Sequence, residues 1–111
     1  DTLEDSLTYV GEPEKLPTHR RELARLAALG ARHILPNHGH EATIARGGYG
    51  PGMISATDAY LAHLLACRDD PTLRGLQPDQ VLAPWIATGG VVWFEPYRPI
   101  HDQNMDLVIG V

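Results

Sequence analysis

The sequence predicts an α/β fold, a strand–helix–strand unit followed by helices. Three observations predict it. Thr8-Tyr9-Val10 is β-prone and is followed by Gly11, Pro13 and Pro17, as a short strand running into a loop would be. Leu23, Leu26, Ala27 and Leu29 recur at the spacing of one helix face. Ala31-Arg32-His33-Ile34-Leu35 is apolar at its centre, is closed by Pro36 and joins the helix through Gly30 alone. A helix passing through one glycine into a strand is the arrangement of α/β layers.

Each element carries its own signal. Thr18 is a plausible N-cap for a helix over 19–29, with Arg20, Arg21 and Arg25 on its wet side. Gly30 stands where a left-handed C-terminal cap is expected. Residues 31–36 form the second strand, and Asn37-His38-Gly39-His40-Glu41 a polar turn at its end, where a rigid strand positions functional groups. The glycine-rich stretch 45–52 lacks the G-x-x-x-x-G-K-[ST] pattern and reads as a surface loop. Ser55 caps a second helix over 56–68, ended by Asp69-Asp70-Pro71. A third, shorter helix covers 78–87 and is broken by Gly89-Gly90. Val91-Val92-Trp93-Phe94 suits either a strand or a buried turn, and a last helix starts near His101.

The chain has 111 residues, 43% hydrophobic and 21% charged, the size and composition of one globular domain. No apolar run approaches the roughly 20 residues of a membrane span. A single cysteine, Cys67, excludes an internal disulfide. Nine Lys+Arg against fourteen Asp+Glu leave a net charge of −5, which makes nucleic acid a poor partner. Asp1 is not an initiator methionine, and Leu107-Val108-Ile109-Gly110-Val111 stops without a polar tail. Both ends read as cuts, so the expectation is a piece of a longer protein. With one cysteine and no visible leader, the cytoplasm is the favoured compartment.

The chemistry-bearing constellation is Asp1 with Pro36-Asn37-His38-Gly39-His40. Carboxylate and imidazole are standard ligands for Zn²⁺ and similar metals. Two ions about 3.5–4 Å apart can hold a shared hydroxide for hydrolysis. One group lies before the first predicted strand and the other after the second, a topology that brings them together.

Asp1-Thr2-Leu3-Glu4-Asp5, Tyr9-Val10-x-Glu12-Pro13, the helix with Glu22-Leu23 and Leu26, and Ile34-Leu35-Pro36-Asn37-His38-Gly39 together resemble the C-terminal half of the metallo-β-lactamase fold hydrolases. Gly47-Gly48-Tyr49, the helix with Ala59, Tyr60, Leu61 and Leu64, and Pro96-Tyr97 with His101 and Asn104 extend the resemblance over most of the chain. It implies half of an αββα sandwich across residues 1–111 and a parent that is a metal-dependent hydrolase of small-molecule substrates. Asp1 would be the bridging carboxylate and His38 the last histidine ligand of one or two zinc ions, with Fe or Mn as alternatives. His40 and Tyr49 would stand behind or beside the pocket.

Residues 38–43 read His-Gly-His-Glu-Ala-Thr, so they are not the family's His-x-His-x-Asp-His hallmark, and Pro-Asn-His-Gly stands in place of Pro-Gly-His-Gly. Two ligands fall short of the usual three plus water. The isolated chain is therefore expected to bind metal weakly and to hydrolyse nothing efficiently.

Other side chains have plainer readings. His33 faces solvent, His63 lies on the polar side of its helix and His101 caps one. Trp85, Trp93 and Phe94 belong to the core, and Cys67 acts as a small hydrophobe. Against the hydrolase stands a non-catalytic alternative. Half a sandwich leaves an unpaired sheet edge, which invites a strand-swapped dimer or another homo-oligomer. A small-ligand-binding domain using the Gly-Tyr-Gly loop is the third reading.

Overall fold

Pro17 stands in the first turn of the first helix, where a missing N–H costs nothing because the leading N–H groups have no partner inside the helix. The computed structural model describes residues 8–30, 34, 43 and 48–110. In it this helix, α1, spans Leu16–Ala28 and continues directly from a 3₁₀ turn at Pro13–Lys15. It begins earlier than the predicted 19 because Pro17 initiates it rather than Thr18. Gly30, at φ 69°, takes the left-handed conformation expected after the helix end. Leu16 and Leu23, two turns apart, are the buried residues of α1.

The second helix, α2, spans Gly52–Asp69 and is the centre of the molecule. Met53, Ile54, Ala56, Thr57, Tyr60, Leu61, Leu64 and Cys67 are all buried, more than one stripe of the helix holds. They meet α1 on one side and, on another, α5, the helix Arg98–Ile109. Each fully buried Leu or Met here contributes about 1.5–3 kcal/mol relative to exposure. The predicted helix over 78–87 is two short pieces, α3 at Pro78–Val81 and α4 at Ala83–Thr88. Pro84 explains the break, since its ring and absent N–H prevent an unbroken turn across Leu82. Gly89, at φ 80°, ends α4. Two further 3₁₀ turns, Pro71–Gly75 and Glu95–Tyr97, complete the order.

The predicted α/β class is overturned. Among the described residues the fold is all-helical and contains no strand. The only sheet-like pairing there is an isolated antiparallel bridge, in which Ile34 N–H meets the Tyr49 carbonyl at 2.6 Å and Tyr49 N–H meets the Ile34 carbonyl at 2.7 Å. Half of an αββα sandwich needs a β-sheet, so the resemblance to metallo-β-lactamase hydrolases falls with the sheet.

Thr8-Tyr9-Val10 shows why. Thr8 and Val10 are buried and Tyr9 is half exposed, the alternation of a strand. Yet Thr8 C=O and Val10 N–H are bonded by the side chain of Asn104 on α5. A side-chain amide supplies the hydrogen bonds that a neighbouring strand would have supplied, and no sheet is required. Of the second predicted strand, 31–36, only Ile34 is described. Val91 is buried in irregular backbone after Gly89-Gly90, while Phe94, expected in the core, is 56% exposed. No described helix is long and apolar enough to cross a membrane.

Candidate functional site

Asp1, His38 and His40 lie outside the described residues, so the proposed ligand pair cannot be placed. Among the described residues no group of three or more His, Cys, Asp or Glu is arranged to hold a metal ion. The hydrolase and β-lactamase-like reading loses its footing with the sheet. Tyr49 is buried in the core and is not among the residues that line either groove below.

Three polar arrangements and two grooves stand out. The first arrangement lies between α2 and α5. Asn104 is fully buried, and every hydrogen-bonding atom of its side chain is used. Its Oδ1 accepts from Val10 N–H at 2.6 Å. Its Nδ2 donates to the Thr8 carbonyl at 2.8 Å and to Tyr60 Oη at 3.0 Å. Tyr60 Oη lies 2.9 Å from His101 Nδ1. The directions follow from chemistry. Val10 N–H can only donate and Thr8 C=O can only accept, which orients the Asn104 amide. With the Asn104 amide donating to it, the Tyr60 hydroxyl donates to His101 Nδ1 in the Nε2–H tautomer of the neutral imidazole. Burial pushes the Tyr60 phenol well above its usual range and lowers the His101 imidazole below 6.5. The expectation that His101 caps a helix is replaced: it sits within α5, buried.

The second arrangement is His63 and Cys67, one turn apart on α2, with Nε2 3.3 Å from Sγ. Helical spacing could have revealed it, since residues four apart share a face. Geometry alone suggests a thiol–imidazole dyad. Burial argues the other way: it raises the Cys67 thiol and lowers His63, so both neutral forms are favoured and no thiolate nucleophile is prepared.

The groove lies between α1 and α2 and has a volume of about 440 Å³. Its floor is Leu23, Ala24, Ala27, Ile54 and Leu65, and Arg20, Arg21, Ser55 and Asp58 form the polar part of its wall. Arg20 Nε donates to Asp58 Oδ1 at 2.7 Å and Nη2 to Oδ2 at 3.2 Å, a two-pronged pair that holds the guanidinium in place. Asp58 accordingly raises the Arg20 pKa. Arg21 Nη2 donates to Thr18 Oγ1 at 3.0 Å. The sequence placed both arginines on the wet side of α1, but nothing local signals that Asp58, 38 positions away, would meet Arg20. A second groove of about 460 Å³, between Tyr9–Glu12 and the start of α1, is walled by Glu12, Glu22, Lys15 and His19. Lys15 and Glu12 are paired there at 2.7 Å.

A final cluster sits on the surface at the start of α5. Arg98 donates to both carboxylate oxygens of Glu95, at 3.0 and 2.8 Å, to Asp79 at 3.1 Å and to Gln77 at 2.9 Å. Its guanidinium also lies 5.2 Å from the Trp93 ring centroid. This fastens the start of α3 to the start of α5, with four of the guanidinium's five donors committed. Comparison with protein families, with curated proteins and with solved structures gives no match for the chain.

Proposed function

We propose that the chain is a small-ligand-binding domain whose α1–α2 groove takes an amphiphilic carboxylate. The single observation that supports this is the groove's combination of an apolar floor with two arginines and one aspartate in its wall. Ligand sites are concave, mostly apolar and oriented by a few polar groups, typically with volumes of about 300–1,000 Å³. A groove of about 440 Å³ is within that range. Ala24 and Ala27 are exposed along the floor, so the small side chains of α1 leave room for an alkyl chain. Two arginines and one aspartate leave one net positive charge in the wall, which a single carboxylate balances. A guanidinium carries five N–H donors, so Asp58's hold on Arg20 through Nε and Nη2 leaves donors for a second anion.

Isothermal titration with decanoate tests it. Saturable binding at one site is expected. Arg21→Glu should weaken it by about tenfold or more, the scale of a lost charged hydrogen bond plus repulsion. Ala27→Phe should fill the floor and weaken it as well, and decanol should bind less tightly than decanoate. Absence of saturable binding, or indifference to both substitutions, overturns the proposal. So does light scattering that shows a second copy of the chain on this face, with dissociation by Ala27→Phe.

A further inference from the structure

We propose that His101 is a proton-operated latch on the Thr8–Val10 segment, acting through Tyr60 and Asn104. With the neutral His101 proton on Nε2, the hydrogen-bond chain runs one way. Asn104 donates to Tyr60, and Tyr60 donates to His101 Nδ1, which must be unprotonated to accept. When Nδ1 gains a proton it becomes a donor aimed at the Tyr60 oxygen. Tyr60 then receives hydrogens from both His101 and Asn104, and its own proton is left without an acceptor in a buried site.

Turning the Asn104 amide over so that Oδ1 accepts from Tyr60 would set Nδ2 against Val10 N–H, donor against donor, and Oδ1 against the Thr8 carbonyl, acceptor against acceptor, stranding more groups than it rescues. Opening the segment instead lets water reach the Tyr60 O–H, so the protonated ring favours the open arrangement and weakens the hold of Asn104 on Thr8 and Val10, which are 96 and 94 positions from it in the chain. Release would uncover Thr8 and Val10, both buried when the latch is closed.

The groups facing His101 are mixed. From its own helix, Asp102 favours the protonated ring and Arg98 opposes it. From α2, His63 opposes it and Tyr60 requires the neutral ring. Burial is the largest influence and keeps the ring neutral at pH 7, so the latch is closed there and opens on acidification.

The test is NMR on the whole chain. The His101 ring resonances report its protonation, and the exchange protection of the Val10 amide, corrected for the intrinsic pH dependence of exchange, reports the latch. Val10 protection should fall by about tenfold or more as His101 titrates, the scale of a lost buried hydrogen bond. Tyr60→Phe removes the relay and should leave Val10 protection independent of His101 protonation. His101→Gln cannot titrate and should make Val10 protection flat with pH, which keeps the test decisive if the tyrosine variant fails to fold. The latch is overturned if His101 protonates with Val10 protection unchanged. It is equally overturned if His101→Gln keeps the wild-type pH dependence, or if the ring stays neutral down to about pH 4, far below the range where histidine normally switches.

Discussion

Asn104 holds Val10 as a neighbouring strand would. Its Oδ1 accepts the Val10 N–H at 2.6 Å while its Nδ2 donates to the Thr8 carbonyl at 2.8 Å. In an extended chain those two backbone groups flank one residue and point to the same edge. One primary amide, with an acceptor and a donor side by side, replaces a peptide group of an adjacent strand. The relationship fastens the start of the described chain to α5 near its end.

Removing that amide should be expensive for a single substitution. Asn104→Ala strips partners from Val10 N–H and the Thr8 carbonyl and removes a donor to Tyr60. A loss of about 2–4 kcal/mol is expected in urea unfolding, since each buried orphaned group costs roughly 1–3 kcal/mol and solvent entry recovers part of it. Asn104→Asp keeps the shape and the acceptor for Val10 but sets a carboxylate oxygen against the Thr8 carbonyl. It should therefore be no more stable than the alanine variant at neutral pH. An aspartate variant of wild-type stability would contradict the assigned amide orientation.

Stability should decline on mild acidification. His63 and His101 are both lowered from 6.5, in each case chiefly by burial. The unfolded chain therefore takes up protons before the folded one does. Stability is fully present above 6.5 and is lost as the pH falls below it toward the lowered folded values. Calorimetric Tm should drop between about pH 7 and pH 5, and substituting both histidines by uncharged residues should flatten that slope. A Tm that rises over the same interval would contradict the burial of the neutral rings.

The surface fastening at Arg98 makes a local prediction. Hydrogen bonds from Arg98 and then from Trp93 hold the Glu95 carboxyl down at about 2, against 4.5 for a free side chain. A depressed carboxylate stabilises the fold above its unfolded value, and that contribution disappears as the pH falls from 4.5 toward about 2. In Arg98→Ala the Glu95 titration followed by NMR should move up toward the ordinary range, stopping short of it because Trp93 Nε1 still donates at 2.6 Å. An unmoved Glu95 would mean that Arg98 is not its principal partner.

Much of the helical content is legible in the residues. Gly30, Pro71 and Gly89 mark helix ends where they are observed, because φ restriction and left-handed caps are local properties, whereas Pro17, read as loop, stands in the first turn of α1. Leu23 and the apolar run of α2 report burial through spacing alone. The candidate site is less legible. Arg20 with Asp58, and Thr8 with Asn104, join positions far apart whose types do not announce one another. His63 with Cys67 is the exception, being one helical turn. Asp1, His38 and His40 carry the metal reading on motif alone, and they lie outside the described residues.

The residues of this chain dictate where helices begin and end, and which side chains shun water, because those preferences act over a few bonds or one turn. They also give Thr8-Tyr9-Val10 its extended, alternately buried form. Only the packing of α5 against α2 decided what satisfies that extended segment. β-propensity describes a backbone with outward-facing hydrogen-bonding groups and does not specify the partner. Here the partner is an asparagine amide from a distant helix, and so the described chain folds as helices with no sheet among them.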